Sequence, residues 1–156
     1  MSSLPTAEVV SQVFKSLLRR GVTVKELPPG QPPQKASIGI YKLGDGTPTA
    51  ACVADLPLAA YASAAFSLIP ARVASDSVKC GVLEDGLDEI FGEVLNVTSR
   101  LFTSHETYRI TLMQTSFPPA PVPDLIKQKA QPPGAFFQVD IDGYGGGVLA
   151  LFLLGA

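Results

Sequence analysis

Five polar residues in one segment have the types and spacing to do chemistry together. Asp85, Glu89, Glu93, Asn96 and Arg100 follow one another at intervals of three and four. On a helix turning about 100° per residue they form one continuous stripe. Leu83, Leu87, Ile90, Phe91, Val94, Leu95, Leu101 and Phe102 fall in the opposite sector. A carboxylate and an amide one turn apart can pair with a cation and orient a water molecule at the same time. An Asn amide does the second task without competing for the water's proton. Glu89 and Glu93 are like charges one turn apart, which costs a few tenths of a kcal/mol and favours a partner that neutralises them. The competing reading is a solvated surface face, because any amphipathic helix carries a polar stripe opposite its apolar one.

Other polar groups carry weaker signals. His105 is the one histidine of the chain and sits between a helical and a strand-like segment, where a cap or surface position accounts for it. Asp140 and Asp142 flank a turn and read as solvated carboxylates. Pro118-Pro119-Ala120-Pro121 has a PxxP spacing that a bend explains equally well. Gly143 to Gly147 lacks the following helix that a phosphate loop requires. No cluster of His, Cys and carboxylates has metal-ligand spacing, so no metal site is expected.

Composition bounds the remaining options. Hydrophobic residues make up 46% of the 156 residues and charged residues 17%, a globular balance. A chain of this length suits one domain, taken as 1–156. The formal net charge is −2 and no basic run occurs, which argues against a nucleic-acid partner. Cys52 and Cys80 form no disulfide framework and are expected as two buried thiols in a reducing compartment. The Met1-Ser2-Ser3-Leu4-Pro5 start lacks a basic segment followed by an apolar one, so no signal peptide is expected. Val148 to Leu154 is far shorter than the ~20 residues of a membrane span. A cytoplasmic location with no membrane partner follows as the expectation.

The elements that must position the stripe can be placed along the chain. Ala7 to Arg20 has helical periodicity through Val10, Val13, Phe14 and Leu17, with Thr6 as its N-cap. Val22 to Leu27 reads as a strand. Ala36 to Ala54 reads as a β-hairpin around the turn Gly44-Asp45-Gly46-Thr47. Leu58 to Ile69, rich in alanine, predicts a well-buried helix ended by Pro70. Ala71 to Lys79 reads as an exposed connection, and Leu83 to Thr103 as one long helix. Thr107 to Ser116 is expected as a strand. The proline-rich stretch Phe117 to Pro133 is expected as a loop holding one helical turn near Asp124 to Ala130. Ala135 to Asp142 and Val148 to Leu154 make a final hairpin. This order predicts an α+β fold, with helices on one face of a largely antiparallel sheet.

At this point the chain resembles a known family. The CheC, CheX and FliY chemotaxis phosphatases carry Asp or Ser, three residues, Glu, two residues, Asn, then 22 residues and a Pro. Here Glu93-Val94-Leu95-Asn96 supplies the central part and Pro119 falls at the expected spacing. Glu89 stands where the family has Asp or Ser. A second register runs Asp85, three residues, Glu89, two residues, Gly92; it puts Gly in place of Asn and Thr115 at the proline position. The order of elements is similar to CheX over the whole chain. The resemblance implies a CheX-like fold and a phosphorylated CheY-like receiver domain as partner. It implies Glu93 and Asn96 as catalytic residues, with Glu93 pairing with the receiver lysine and Asn96 orienting the attacking water. Asp85, Glu89 and Arg100 would contact the partner. The magnesium ion would come from the receiver and the chain would hold no cofactor of its own. The first helix offers only Glu8-Val9-Val10-Ser11, without Asn, so one site per chain and a CheX-like homodimer through the sheet are implied.

Overall fold

The computed structural model describes residues 4–33, 35–84, 86–102, 110–118, 120–131 and 133–155. Helix α1 (Ala7–Leu18) starts where the Thr6 hydroxyl accepts a hydrogen bond from the Val9 amide at 3.4 Å. It buries Val10, Phe14 and Leu18 and leads into β1 (Val22–Leu27). A hairpin follows, formed by β2 (Ala36–Lys42) and β3 (Pro48–Asp55). The Asp45 carboxylate accepts from the Thr47 amide in its turn, and that bond holds the carboxyl below its ordinary pKa.

Asp55 ends β3 and caps α2 (Leu56–Phe66). One of its oxygens accepts from the Leu58 amide and the other from the Val148 amide, both at 2.9 Å. Partial burial still leaves this carboxyl with a raised pKa, because desolvation outweighs the two bonds. Gly147 makes the approach possible: a side chain there would run into the Asp55 carboxylate and the Leu58 amide.

Next come α3 (Ala71–Cys80), α4 (Leu87–Val97), a 3₁₀ turn (Thr98–Leu101) and β4 (Thr111–Ser116). The chain then forms α5 (Asp124–Lys129) and a last hairpin of β5 (Ala135–Ile141) and β6 (Gly146–Leu153). The six strands form one sheet in the order β1-β5-β6-β3-β2-β4, with every pairing antiparallel. The architecture is the expected α+β type.

One face of the sheet presents Tyr41, Cys52, Phe137, Val139, Leu149 and Leu151 to α1, α2 and α4. The opposite face carries Ile38, Val53, Phe136 and Phe152, covered by Leu125 and Ile126 of α5 and by Val122 before it. Helix α2 is sandwiched: Leu58, Ala59 and Ala62 meet the sheet, while Ala60 and Ala64 meet Ala74 of α3 and Leu87 of α4. Alanine on both sides lets the three layers approach closely.

Two expected boundaries change. Ala71 to Lys79 is a helix and not an exposed connection. Its buried residues are Ala74 and Ser77, flanked by the partly buried Val73 and Val78; the helical spacing of Ala71, Ala74 and Val78 is present in the sequence but diluted by small and polar residues. The Ser77 hydroxyl also accepts from the Glu84 amide at 3.0 Å. The long helix from Leu83 is shorter than expected, because Gly86 adopts φ 80 and α4 begins only at Leu87. The thiols differ too. Cys52 is buried and its pKa is pushed up to about 12 by desolvation, whereas Cys80 is exposed. Among the described residues no helix is long and apolar enough to cross a membrane.

The junction of α4 and the 3₁₀ turn is fastened to the sheet by a buried hydrogen-bond cluster. The Tyr41 hydroxyl lies 2.7 Å from the Leu95 carbonyl oxygen and 2.6 Å from the Thr98 hydroxyl, which is itself 2.9 Å from the same carbonyl. Two hydroxyl protons serve three contacts, so one hydroxyl donates to the carbonyl and the other to its neighbour. Burial raises the Tyr41 pKa well above its ordinary value, with nearby Cys52 adding to the effect, so the phenol stays protonated. Tyr41→Phe should lower unfolding free energy by about 1–2 kcal/mol, since a net hydrogen bond is lost without cavity formation. Chemical denaturation with an unchanged m-value checks this.

Candidate functional site

Helix α4 packs through Leu87, Phe91, Val94 and Leu95. Their burial fixes the rotation of the helix and turns Glu89, Glu93 and Asn96 outward, all three exposed. Among the described residues their side chains make no hydrogen bond or ion pair, and Arg100 on the 3₁₀ turn is likewise exposed and unpaired. Asp88 and Glu89 occupy the first turn, where a negative charge suits the helix dipole, and the Asp88 carboxylate accepts from the Glu89 amide at 2.9 Å. Asp88 is not singled out by the sequence, because a helix begun at Leu83 puts it in the interior and not in the first turn.

Four of the five stripe residues therefore share one surface. Asp85 lies outside the described residues, as do Pro119 and His105. Asp140 near the end of β5 and Asp142 in the β5–β6 turn are not part of the stripe, and the Asp140 carboxylate accepts from the Gln138 side-chain Nε2 at 3.1 Å. Among the described residues no group of His, Cys, Asp and Glu is arranged to hold a metal ion.

Gly92 lies on the flank of the same stripe. A Cβ there would meet only the Phe117 ring, 4.0 Å away, so packing does not demand glycine. A mid-helix glycine costs up to about 1 kcal/mol relative to alanine. The helix accepts that cost beside Glu93 and Asn96, where the missing side chain lowers the profile of the surface. What this surface can do chemically is limited and specific: it can offer a carboxylate to a cation and an amide to water, over a low-relief helix that another protein can approach.

No protein-family model and no curated protein sequence matches the chain. The fold does match solved structures. FliM in the FliM–SpeE complex from H. pylori aligns with a TM-score of 0.57 at 10% identity, covering 95% of this chain and 81% of that one. The FliM middle domain from H. pylori gives 0.54 at 12% identity, covering 95% and 84%. Thermotoga maritima FliY gives 0.54 at 14% identity, covering 95% and 87%. The chain therefore has the fold of the CheC/CheX/FliY group, which the middle domain of FliM shares, as its resemblance implied.

Gly92→Ala should raise stability by about 0.5–1 kcal/mol, because the methyl group has room and helix propensity improves. Thermal unfolding of the two proteins checks this. An unchanged or lower Tm would show that the helix is already constrained around Gly92.

Proposed function

We propose that the exposed face of α4 docks on a phosphorylated receiver domain and promotes hydrolysis of its aspartyl phosphate. The observation that carries this reading is the side-by-side exposure of Glu93 and Asn96, both without partners among the described residues, on a fold of the FliY type. Glu93 would neutralise the receiver lysine that otherwise contacts the acyl phosphate. Asn96 would hold a water in line with the phosphorus–oxygen bond to the aspartate. The water oxygen then bonds to phosphorus, the phosphorus–oxygen bond breaks, and the carboxylate and inorganic phosphate leave. Such a transfer needs positioning and electrostatics more than covalent participation, which two side chains can supply. The receiver would bring its own magnesium ion. Glu89 and Arg100 would contact the partner on either side of the reacting pair, and Asp85 would extend the contact. A homodimer formed through the sheet would present one such face per subunit.

A second reading is non-catalytic docking on a receiver or flagellar switch component. The likeness to the FliM middle domain from H. pylori, whose TM-score of 0.54 equals that of FliY, supports it as much as the first reading. Glu89, which stands where the phosphatase pattern has Asp or Ser, favours it.

One assay separates the two. Phosphate release from a phosphorylated receiver of the same genome is followed with wild type and with Asn96→Ala. The phosphatase reading expects wild type to accelerate release and Asn96→Ala to lose on the order of 100-fold of that acceleration while still binding. Binding without acceleration by wild type supports the docking reading. Absence of binding overturns both.

A further inference from the structure

A second surface lies where α1, α2 and the turn after α4 end together. It is a groove of about 610 Å³ whose lining includes Leu17, Phe66 and Leu68 as apolar groups and Arg19, Arg20 and Arg100 as charged ones. Among the described residues no carboxylate lines it. In a chain of net charge −2, three arginines around one concavity are a local concentration of positive charge. Phe66 and Leu68 are 37% and 76% exposed, and Leu68 is the most exposed of the large apolar side chains described.

The backbone supplies an independent observation. Among the described residues two non-glycine positions have positive φ, Arg19 at 54° and Leu68 at 57°, and both line this groove. The cause at Leu68 is local. Helix α2 ends in a Schellman arrangement, with the Ile69 amide donating to the Ala64 carbonyl at 2.8 Å and the Leu68 amide to the Ala65 carbonyl at 3.3 Å. That motif wants glycine at the position Leu68 occupies. An exposed leucine gains almost nothing from packing there, so strain and exposure are tolerated together for a side chain that the fold does not use. Strain maintained at a surface site is a pointer to function. Arg20 is preorganised: its guanidinium lies 4.7 Å from the centre of the Tyr144 ring and donates to the Asp142 carbonyl at 3.0 Å.

We infer that this groove binds an acidic, leucine-bearing peptide segment of a partner protein. Leu68 and Phe66 would receive the apolar side chains, and the arginines would receive the carboxylates in charge-assisted hydrogen bonds. Concavity and mixed character favour a peptide over an anionic membrane. A flat lipid surface reaching Arg100 would also face Glu93 and Glu89 on the same helix. The inference does not depend on the phosphatase reading, because it needs no receiver and shares only Arg100 with the surface that reading uses.

The test uses a short fluorescein-labelled peptide of leucine and glutamate, its lysine counterpart, and vesicles rich in phosphatidylglycerol. Wild type should bind the glutamate peptide, measured by anisotropy, and should not bind the lysine peptide. Arg19→Asn keeps a residue that tolerates positive φ and removes the charge, and should weaken binding about tenfold. Leu68→Gly should weaken it at least as much while leaving Tm equal or higher, since glycine relieves the strained φ. A purely structural Leu68 would instead lower Tm and leave binding unchanged. Equal affinity across the variants, binding of the lysine peptide with equal strength, or arginine-dependent sedimentation with vesicles in preference to peptide would each overturn the inference.

Discussion

The Leu95 carbonyl, held between the hydroxyls of Tyr41 and Thr98, locks in place the orientation that the buried apolar face gives α4. Tyr41 belongs to β2, the strand beside the sheet's edge strand β4, so the bond ties α4 to the sheet and not to a neighbouring loop. A buried polar cluster of this kind is costly unless every proton and lone pair is used, and here the two hydroxyls satisfy each other. The cluster also sits where the helix tightens into the 3₁₀ turn, and Phe102 closes it with a ring 5.2 Å from that of Tyr41. Apolar packing by Phe91 and Val94 would allow α4 to slide or rotate slightly. A hydrogen bond with a fixed acceptor does not. The outward aim of Glu93 and Asn96 is set by the apolar face of the helix and held by the hydrogen bonds beneath it.

The same constraint explains the composition of α2. For α4 to reach Tyr41, α2 must lie close to the sheet and leave room for α3 behind it. Alanine at 59, 60, 62, 64 and 65 permits that spacing, and Gly147 removes the side chain that would block the Asp55 cap. Larger residues on α2 would pack well locally but push α4 away from its anchor. Close-packed interiors transmit such displacements and do not absorb them.

Much of this was legible in the sequence. The hairpin around Gly44 to Thr47 announced itself through turn residues, and the exposure of Glu89, Glu93 and Asn96 followed from helical periodicity. Four features were hidden, each for a physical reason. Helix α3 packs through Ala74 and Ser77, whose small side chains look polar or neutral in a pattern search. The start of α4 was misplaced because Leu83 fits the apolar sector, while the left-handed Gly86 that ends the preceding turn carries no hydrophobic signal. Strand β2 reads as an alternating, half-buried strand, yet Ile38, Ile40, Ser37 and Tyr41 are all buried, because the proline-rich segment around α5 covers the second face. The Tyr41–Thr98 contact joins residues far apart in sequence, and no local pattern encodes it.

The two polar surfaces are not independent in space. Arg100 follows Asn96 by four residues, and the rise along a helix places it about 6–7 Å further along the same axis. It closes the polar stripe at one end and lines the basic groove at the other. A protein docked over Glu93 and Asn96 is far wider than that separation, so its edge must meet whatever occupies the groove. An acidic peptide there would neutralise Arg100 and remove the cation at the end of the stripe. The carboxylates at Glu89 and Glu93 would then dominate the local field, which strengthens attraction for a lysine and weakens it for a phosphate. On the two proposals together, one arginine on a short 3₁₀ turn would link the electrostatics of the first surface to the occupancy of the second.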